Sequence, residues 1–410
     1  MDRCVDFTFP TMKLHRINQR PSTANTMLAS ELMLAEQALF HQRIERNEKT
    51  IVKNNVDDRI LSQLRELMPV LKKRVSPAFD IEQVRDGFAR VRCAGDDVSK
   101  LLSVLSKDHA QLAAGYPCYI FFPVYRELLK LLRLAQSGRY AFDWYLKSTF
   151  SIEEAIEIAK HANRFVEVFI KVMKRPLVKK EQENFERSPN DNFQSLLSNI
   201  AAISERYLDA VVLRFDMFYQ PADGVPVKDG DQPQLGHLHE LLAHRTRFHA
   251  WLRKRFKSDL LLYAWALEHG RERGLHHHYL MTLKPRGNED HVNIVHEIDD
   301  KWSTITLGLG SIYNGNEARH KQRYKALGLV SLNDPNVITG LQLIASYITL
   351  AGVYVKLNVG ANVDAFGKGG NMGGDDPQVY LKAGRPPKRQ PPVPIAISAA
   401  EGRARYVNFI

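Results

Sequence analysis

The chain has 410 residues, 44% of them hydrophobic, enough for two or three domains with cores of their own. Lys and Arg number 57 against 46 Asp and Glu, a formal net charge of +11 that favours a polyanionic partner. Three scattered cysteines, Cys4, Cys93 and Cys118, exclude a disulfide framework and a thiolate zinc cluster. No apolar run approaches the roughly 20 residues that a spanning helix needs, and Met1-Asp2-Arg3-Cys4 lacks the apolar core of a signal peptide, so the expectation is a cytoplasmic protein without membrane contact.

Residues 1–25, with Pro10 and Pro21, are expected to form a poorly ordered arm, and residues 26–195 a mostly helical domain. Leu28, Leu32, Ala35 and Leu39 share one helical face. A second amphipathic helix starts at Asp57-Asp58-Arg59 and should stop just before Pro69. Pro123 starts another through Leu134, with Tyr125, Leu128, Leu129 and Leu132 inward, and Ser151-Ile152-Glu153-Glu154 is a capping-box start to a helix reaching about Met173. This half carries no motif with chemistry in it, and reads as scaffold or as a domain for partner contacts or DNA docking. The charged run Lys179–Asn184 and then Ser188-Pro189-Asn190-Asp191 mark a junction near 175–195.

Beyond it the pattern changes. Leu208–Tyr219 predicts a strand, Gln220–Gln234 a loop, and Leu235–Arg255 a helix. Asp259–Glu268 and Leu275–Leu283 predict an antiparallel hairpin joined by His269-Gly270-Arg271-Glu272-Arg273-Gly274. Trp302–Leu307 predicts a short strand and Val337–Val355 a helix. Residues 358–410 form a Gly- and Pro-rich basic tail, expected to be flexible, in which Gly384-Arg385-Pro386 is like a hook that sets an arginine into narrow minor grooves.

Two features carry chemistry. In Gly274-Leu275-His276-His277-His278-Tyr279 the strand alternation points His276 and His278 the same way and His277 opposite. Glu268 ends the preceding strand, so the hairpin brings its carboxylate in front of both imidazoles; two imidazoles and one carboxylate suit Mn²⁺ or Mg²⁺, with imidazole favouring Mn²⁺. The same spacing also fits a hydrogen-bonded or surface histidine pair. Tyr347, with Tyr354 seven residues on, offers a nucleophile whose ester with phosphate keeps its bond energy for rejoining, although each tyrosine alone also fits a core.

The second feature is basic. Arg245, Arg247, Arg253, Lys254, Arg255 and Lys257 are interleaved with Phe248, Trp251 and Phe256, and Arg319, Lys321, Arg323 and Lys325 flank Tyr324. Cations neutralise phosphates and rings stack on bases, as a single-strand groove requires, while an amphipathic helix with its charges in water has the same composition. Three lookalikes are set aside. His237-Leu238-His239 opens a helix, where positions two apart diverge; His239 and His244 are spaced wrongly for a zinc-protease helix; and Phe366-Gly367-Lys368-Gly369-Gly370 lacks the full phosphate-loop pattern, leaving ATP use unsupported.

The order Val211–Tyr219, Trp265-Ala266-Leu267-Glu268, Gly274–His278, Trp302–Gly310 and Tyr347-Ile348-Thr349 resembles the inovirus replication-initiator family of the YagK/YfjJ type. That family is similar to the HUH endonucleases, the rolling-circle initiators and relaxases. The resemblance implies an α+β chain: a mostly helical N-terminal region, then an HUH-like nuclease domain over 205–357 with a five-stranded antiparallel sheet and helices on one side. It implies a divalent ion on Glu268, His276 and His278, Tyr347 nicking one strand of origin DNA, and host replication proteins as further partners. Where the family usually has a lysine three residues after the tyrosine, this chain has Leu350. Lys356 or a cation from 319–325 substitutes, or Tyr354 is the nucleophile, or this chain nicks poorly. A DNA-binding regulator or packaging protein without cleavage is the alternative, and a metal-dependent hydrolase of another phosphate ester a third. His277, where the family motif has an apolar residue, predicts a back face that is not fully buried.

Overall fold

The computed structural model describes residues 59–114, 116, 118–136, 142, 149–219, 238–270, 274–287, 290–317, 319, 324–358 and 363–371. The expected arm, the Leu28–Leu39 face, His237, Lys321, Arg323 and Arg385 lie outside them. In chain order the helices are α1 (Arg59–Leu71), α2 (Asp96–Leu105), α3 (His109–Ala114), α4 (Pro123–Gln136), α5 (Ile152–Lys174), α6 (Pro176–Arg206), α7 (Leu238–Phe256), α8 (His291–Ile305) and α9 (Pro335–Leu350). The strands are β1 (Phe79–Arg85), β2 (Phe88–Cys93), β3 (Tyr119–Phe121), β4 (Phe150–Ser151), β5 (Asp209–Tyr219), β6 (Leu260–Gly270), β7 (Gly274–Leu283), β8 (Gly310–Asn314), β9 (Gly328–Ser331), β10 (Val355–Leu357) and β11 (Phe366–Gly369). The chain is therefore α+β, with antiparallel sheets. No helix among the described residues is long and apolar enough to cross a membrane.

These residues fall into two compact units, 59–189 with 351–358, and 190–350 with 363–371. The first is mostly helical and also holds two small sheets: β1, β2 and β4 form a three-stranded sheet, and β10 pairs with β3. Its core is the apolar stripe of α5, Ala155, Ala159, Ala162, Val166 and Phe169, together with Leu64 and Leu71 of α1 and Leu101 of α2. The Ser151–Glu154 capping box starts α5 as its spacing predicts. Asn163 then clamps the sheet to this helix, accepting from the Ala78 and Phe79 amides at 2.7 and 2.8 Å and donating to Phe79 O at 2.8 Å. Pro69 does not stop α1. It stands in the last turn, where few bonds remain to be lost, and Lys72 N still reaches Met68 O at 3.1 Å. The division between the two units falls at 189/190, inside the expected junction at 175–195, and lies within α6.

The second unit is organised on a six-stranded sheet in the order β11-β6-β7-β5-β8, with β9 also paired to β5. β8 meets residues 215–219 of β5 and β9 meets residues 209–212, so the two share one edge. All pairings are antiparallel. Pleat alternation sorts the side chains into two faces. Phe215, Trp265, His277 and Tyr279 look one way, towards Phe248 and His249 of α7. Asp216, Glu268, His276 and His278 look the other way, towards Tyr347 of α9. Helices thus cover both faces rather than one.

Three further expectations change. Trp302–Leu307 does not form a strand: Asp290 caps α8 through the Val292 and Asn293 amides, and Val295, Ile298 and Trp302 form its buried stripe. The predicted helix to Val355 ends at Leu350, and residues 351–358 belong to the first unit. Part of the expected flexible tail is ordered, since β11 pairs with β6; a Cβ at Gly367 would lie 2.6 Å from the Trp265 ring, so only glycine lets this strand approach.

Candidate metal centre

The β6–β7 hairpin sets Glu268 directly opposite His276, and the next pair on that face is Ala266 opposite His278. β5 lies on the other side of β7 and puts Asp216 opposite His278. From these registers three donor atoms converge on His278 Nε2: His276 Nε2 at 3.1 Å, Glu268 Oε2 at 3.1 Å and Tyr347 Oη at 3.0 Å. The histidines are buried, at 6% and 3% exposure, and Tyr347 is 7% exposed.

The outer nitrogens explain which way each ring faces. His276 Nδ1 lies 3.0 Å from Gly274 O, and His278 Nδ1 lies 2.6 Å from Asp216 Oδ1. Carbonyl and carboxylate oxygens only accept, so each Nδ1 carries a proton, and in the neutral ring each Nε2 presents its lone pair inward. Without a metal the proton on His278 Nε2 lies between the two nitrogens, 3.1 Å apart; a cation in that proton's place meets both Nε2 lone pairs. Gly274, at φ 60°, adopts the left-handed backbone that aims its carbonyl at His276. Burial works to lower the His278 imidazole, but Asp216 and Glu268 outweigh it and raise it to about 10. Burial likewise works to raise the Glu268 carboxyl, and His278 and His276 together hold it below the usual range. The site is therefore built to keep its carboxylate charged and to hold positive charge at its centre.

Glu268, His276 and His278 can hold a metal ion: one ligand atom from each lies within 4.8 Å of the others. Imidazole and carboxylate donors are the set used for divalent transition ions, and the Asp216–His278 contact is the carboxylate–histidine support such sites need. Asp216 was not among the residues expected here, nor was Arg214. The Arg214 guanidinium carbon sits 5.1 Å from the centre of the Tyr347 ring, with Nη2 3.9 Å from Asp216 Oδ1. Their signal is present in Val211–Tyr219, where two charged residues interrupt an apolar strand at alternate positions.

The other tyrosine and the lysine go elsewhere. Tyr354 is 1% exposed in the core of the first unit, edge-on to Phe122 with Arg65 above its ring. Lys356 lies in that unit too, its ammonium 4.5 Å from the centre of the Phe185 ring, where burial lowers its pKa. The tyrosine gathered with the histidines is Tyr347. Leu350 is fully buried, so its position does not open onto a phosphate.

The basic segment on α7 is largely engaged within the chain. Arg245 stacks 3.8 Å above the Trp265 ring and donates to Asp364 O, Arg253 donates to the Tyr263 hydroxyl, and Arg255 pairs with both oxygens of Glu297. Arg247, Lys254 and Lys257 are exposed. Since α7 covers the face opposite His276 and His278, these cations do not line the metal pocket. Arg319 contacts His291 Nε2 at 2.7 Å, and Lys325 is exposed. His277 corrects another expectation: it is fully buried beneath α7, edge-on to Trp265, and neither ring nitrogen has a hydrogen-bond partner among the described residues. Burial, followed by the charge of Arg245, holds it well below the usual histidine range.

Fold and site together define an α+β protein whose antiparallel sheet carries two histidines and a carboxylate that could hold a metal ion, with a tyrosine packed against them. No family model, curated protein or solved structure matches the chain.

Proposed function

We propose that the chain is a DNA-nicking replication initiator of a phage or mobile element, akin to the inovirus initiators that its sequence resembles. The observation that supports this is the meeting of Tyr347 Oη with Glu268, His276 and His278 at one point of the sheet. Glu268, His276 and His278 hold Mn²⁺ or Mg²⁺, which when bound polarises a phosphate oxygen as a Lewis acid. Tyr347 Oη attacks the phosphorus of a single strand and the bond to the 3′ oxygen breaks. The strand is left with a 5′-phosphotyrosine on the protein and a free 3′-hydroxyl that takes up a proton and serves a host polymerase. Asp216 keeps the His278 ring in its ligating tautomer, and Arg214, beside the Tyr347 ring, supplies the cation that the family places on the lysine. Incubating the full chain with labelled origin single strands and Mn²⁺ gives a covalent adduct that Tyr347→Phe removes. Absence of an adduct with every strand of the element's origin region refutes the reading.

The buried Leu350 and the placement of the basic helix on the opposite face favour a second reading, a DNA-binding regulator or packaging protein that has lost cleavage. Salt-sensitive binding of single strands without any adduct, unchanged in Tyr347→Phe, selects it.

A further inference from the structure

Tyr347 Oη is as close to His278 Nε2 as are the carboxylate and the second imidazole: 3.0 Å against 3.1 and 3.1 Å. An imidazole nitrogen makes one in-plane hydrogen bond, through its proton or its lone pair, so a proton on Nε2 serves one of these three neighbours well and the others poorly. A metal ion serves all of them at once. Donors bound at about 2.1 Å to an octahedral ion lie about 3.0 Å apart at neighbouring positions, whereas tetrahedral donors at the same bond length lie about 3.4 Å apart. The tyrosine oxygen stands as near to His278 Nε2 as do the two ligand atoms already assigned.

We infer that the Tyr347 hydroxyl is a fourth protein ligand of the divalent centre, next to His278 in its coordination shell. The inference rests on the metal site of the preceding section. It accounts for Tyr347 being buried with its hydroxyl 3.0 Å from His278 Nε2. Its chemical meaning follows from octahedral coordination, which leaves two positions for solvent or substrate once four protein donors are in place. A phosphate oxygen entering the position opposite His278 lies beside the tyrosine oxygen and brings its phosphorus near that oxygen. The ion then orients the phenol oxygen itself, a task assigned in the family to the lysine that Leu350 replaces.

Iron(III) tests this without any DNA, because a tyrosine oxygen bound to iron(III) as phenolate, its proton released to the buffer, absorbs in the visible. The full chain, titrated with iron(III) to one ion per chain, should develop a phenolate-to-iron charge-transfer band. Tyr347→Phe should bind the same one ion and lose the band, and Tyr354→Phe should keep it. A colourless wild-type complex at one iron per chain, or a band that survives Tyr347→Phe, overturns the fourth ligand and leaves the three-ligand site standing. No iron bound, with Mn²⁺ also failing to bind by calorimetry, overturns the ligand and the metal site together. A colourless wild-type complex decides against the fourth ligand even where the phenylalanine variant is unstable.

Discussion

Asp216 is the residue whose removal tests the construction of the centre most directly. Its Oδ1 lies 2.6 Å from His278 Nδ1 and the residue is 5% exposed, so no solvent molecule replaces the contact cheaply. Without it the proton on Nδ1 loses its carboxylate acceptor, and His278 loses the orientation that points Nε2 at His276 and Glu268. Losing such a support weakens metal binding by about 10–100-fold, or about 1.4–2.8 kcal/mol. Asp216→Ala should therefore bind Mn²⁺ one to two orders of magnitude more weakly than the parent chain. Asp216→Asn, whose amide oxygen still accepts from Nδ1 but carries no charge, should fall between them. Calorimetric titration of the three proteins, each shown folded by circular dichroism, measures the ranking. Equal affinities in folded Asp216→Ala and wild type refute the idea that the carboxylate orients this ligand.

His249 donates or accepts at 2.8 Å with the Tyr279 hydroxyl, and burial, then Arg245 and Arg253, lower its pKa to about 3. The unfolded chain takes up this proton near pH 6.5 and the folded one does not, so stability present above 6.5 is lost as pH falls towards 3. Between pH 7 and pH 5 the loss is about 2 kcal/mol, and His249→Gln should flatten that part of the curve in denaturant melts. Leu350→Lys, which restores the family's residue, should cost about 3 kcal/mol or more by burying a charge, lowering the melting temperature without raising adduct yield. Asn163→Ala removes three hydrogen bonds at the start of β1 and should destabilise the first unit by about 2–3 kcal/mol in urea titration; a change under 0.5 kcal/mol contradicts the clamp.

The group Glu268, His276 and His278 was legible because a hairpin is local: two strands and a short turn put all three on one face by alternation alone. Tyr347 needed the family resemblance, since nothing in its own helix distinguishes it from Tyr354. Asp216 and Arg214 escaped notice because β5 meets β7 across a long stretch of chain, and pairing between distant strands leaves no local mark beyond two charges in an apolar run. The basic residues of α7 show the opposite difficulty. Their charge is plain in the sequence, but which face of the sheet the helix covers depends on Phe248 packing against Phe215 and Tyr279, a tertiary fact. Trp302 misled for a related reason: a short strand was expected at Trp302–Leu307, while the Asp290 cap and burial at three-to-four-residue spacing made a helix.

Strand β11 bears on how the protein is made. It covers the outer edge of β6, with Leu267 N bonded to Ala365 O and Asn371 N to Leu260 O. On a ribosome, β6 and β7 emerge roughly 100 residues before β11, so at about 5–20 residues per second the nascent sheet carries an open edge for some 5–20 seconds. An unpaired edge is a template for pairing with a neighbouring chain. A polypeptide cut after Leu357 would keep that edge open permanently, and the glycines at 367 and 369 are what allow β11 to lie over Trp265 and Tyr263 and end the exposure.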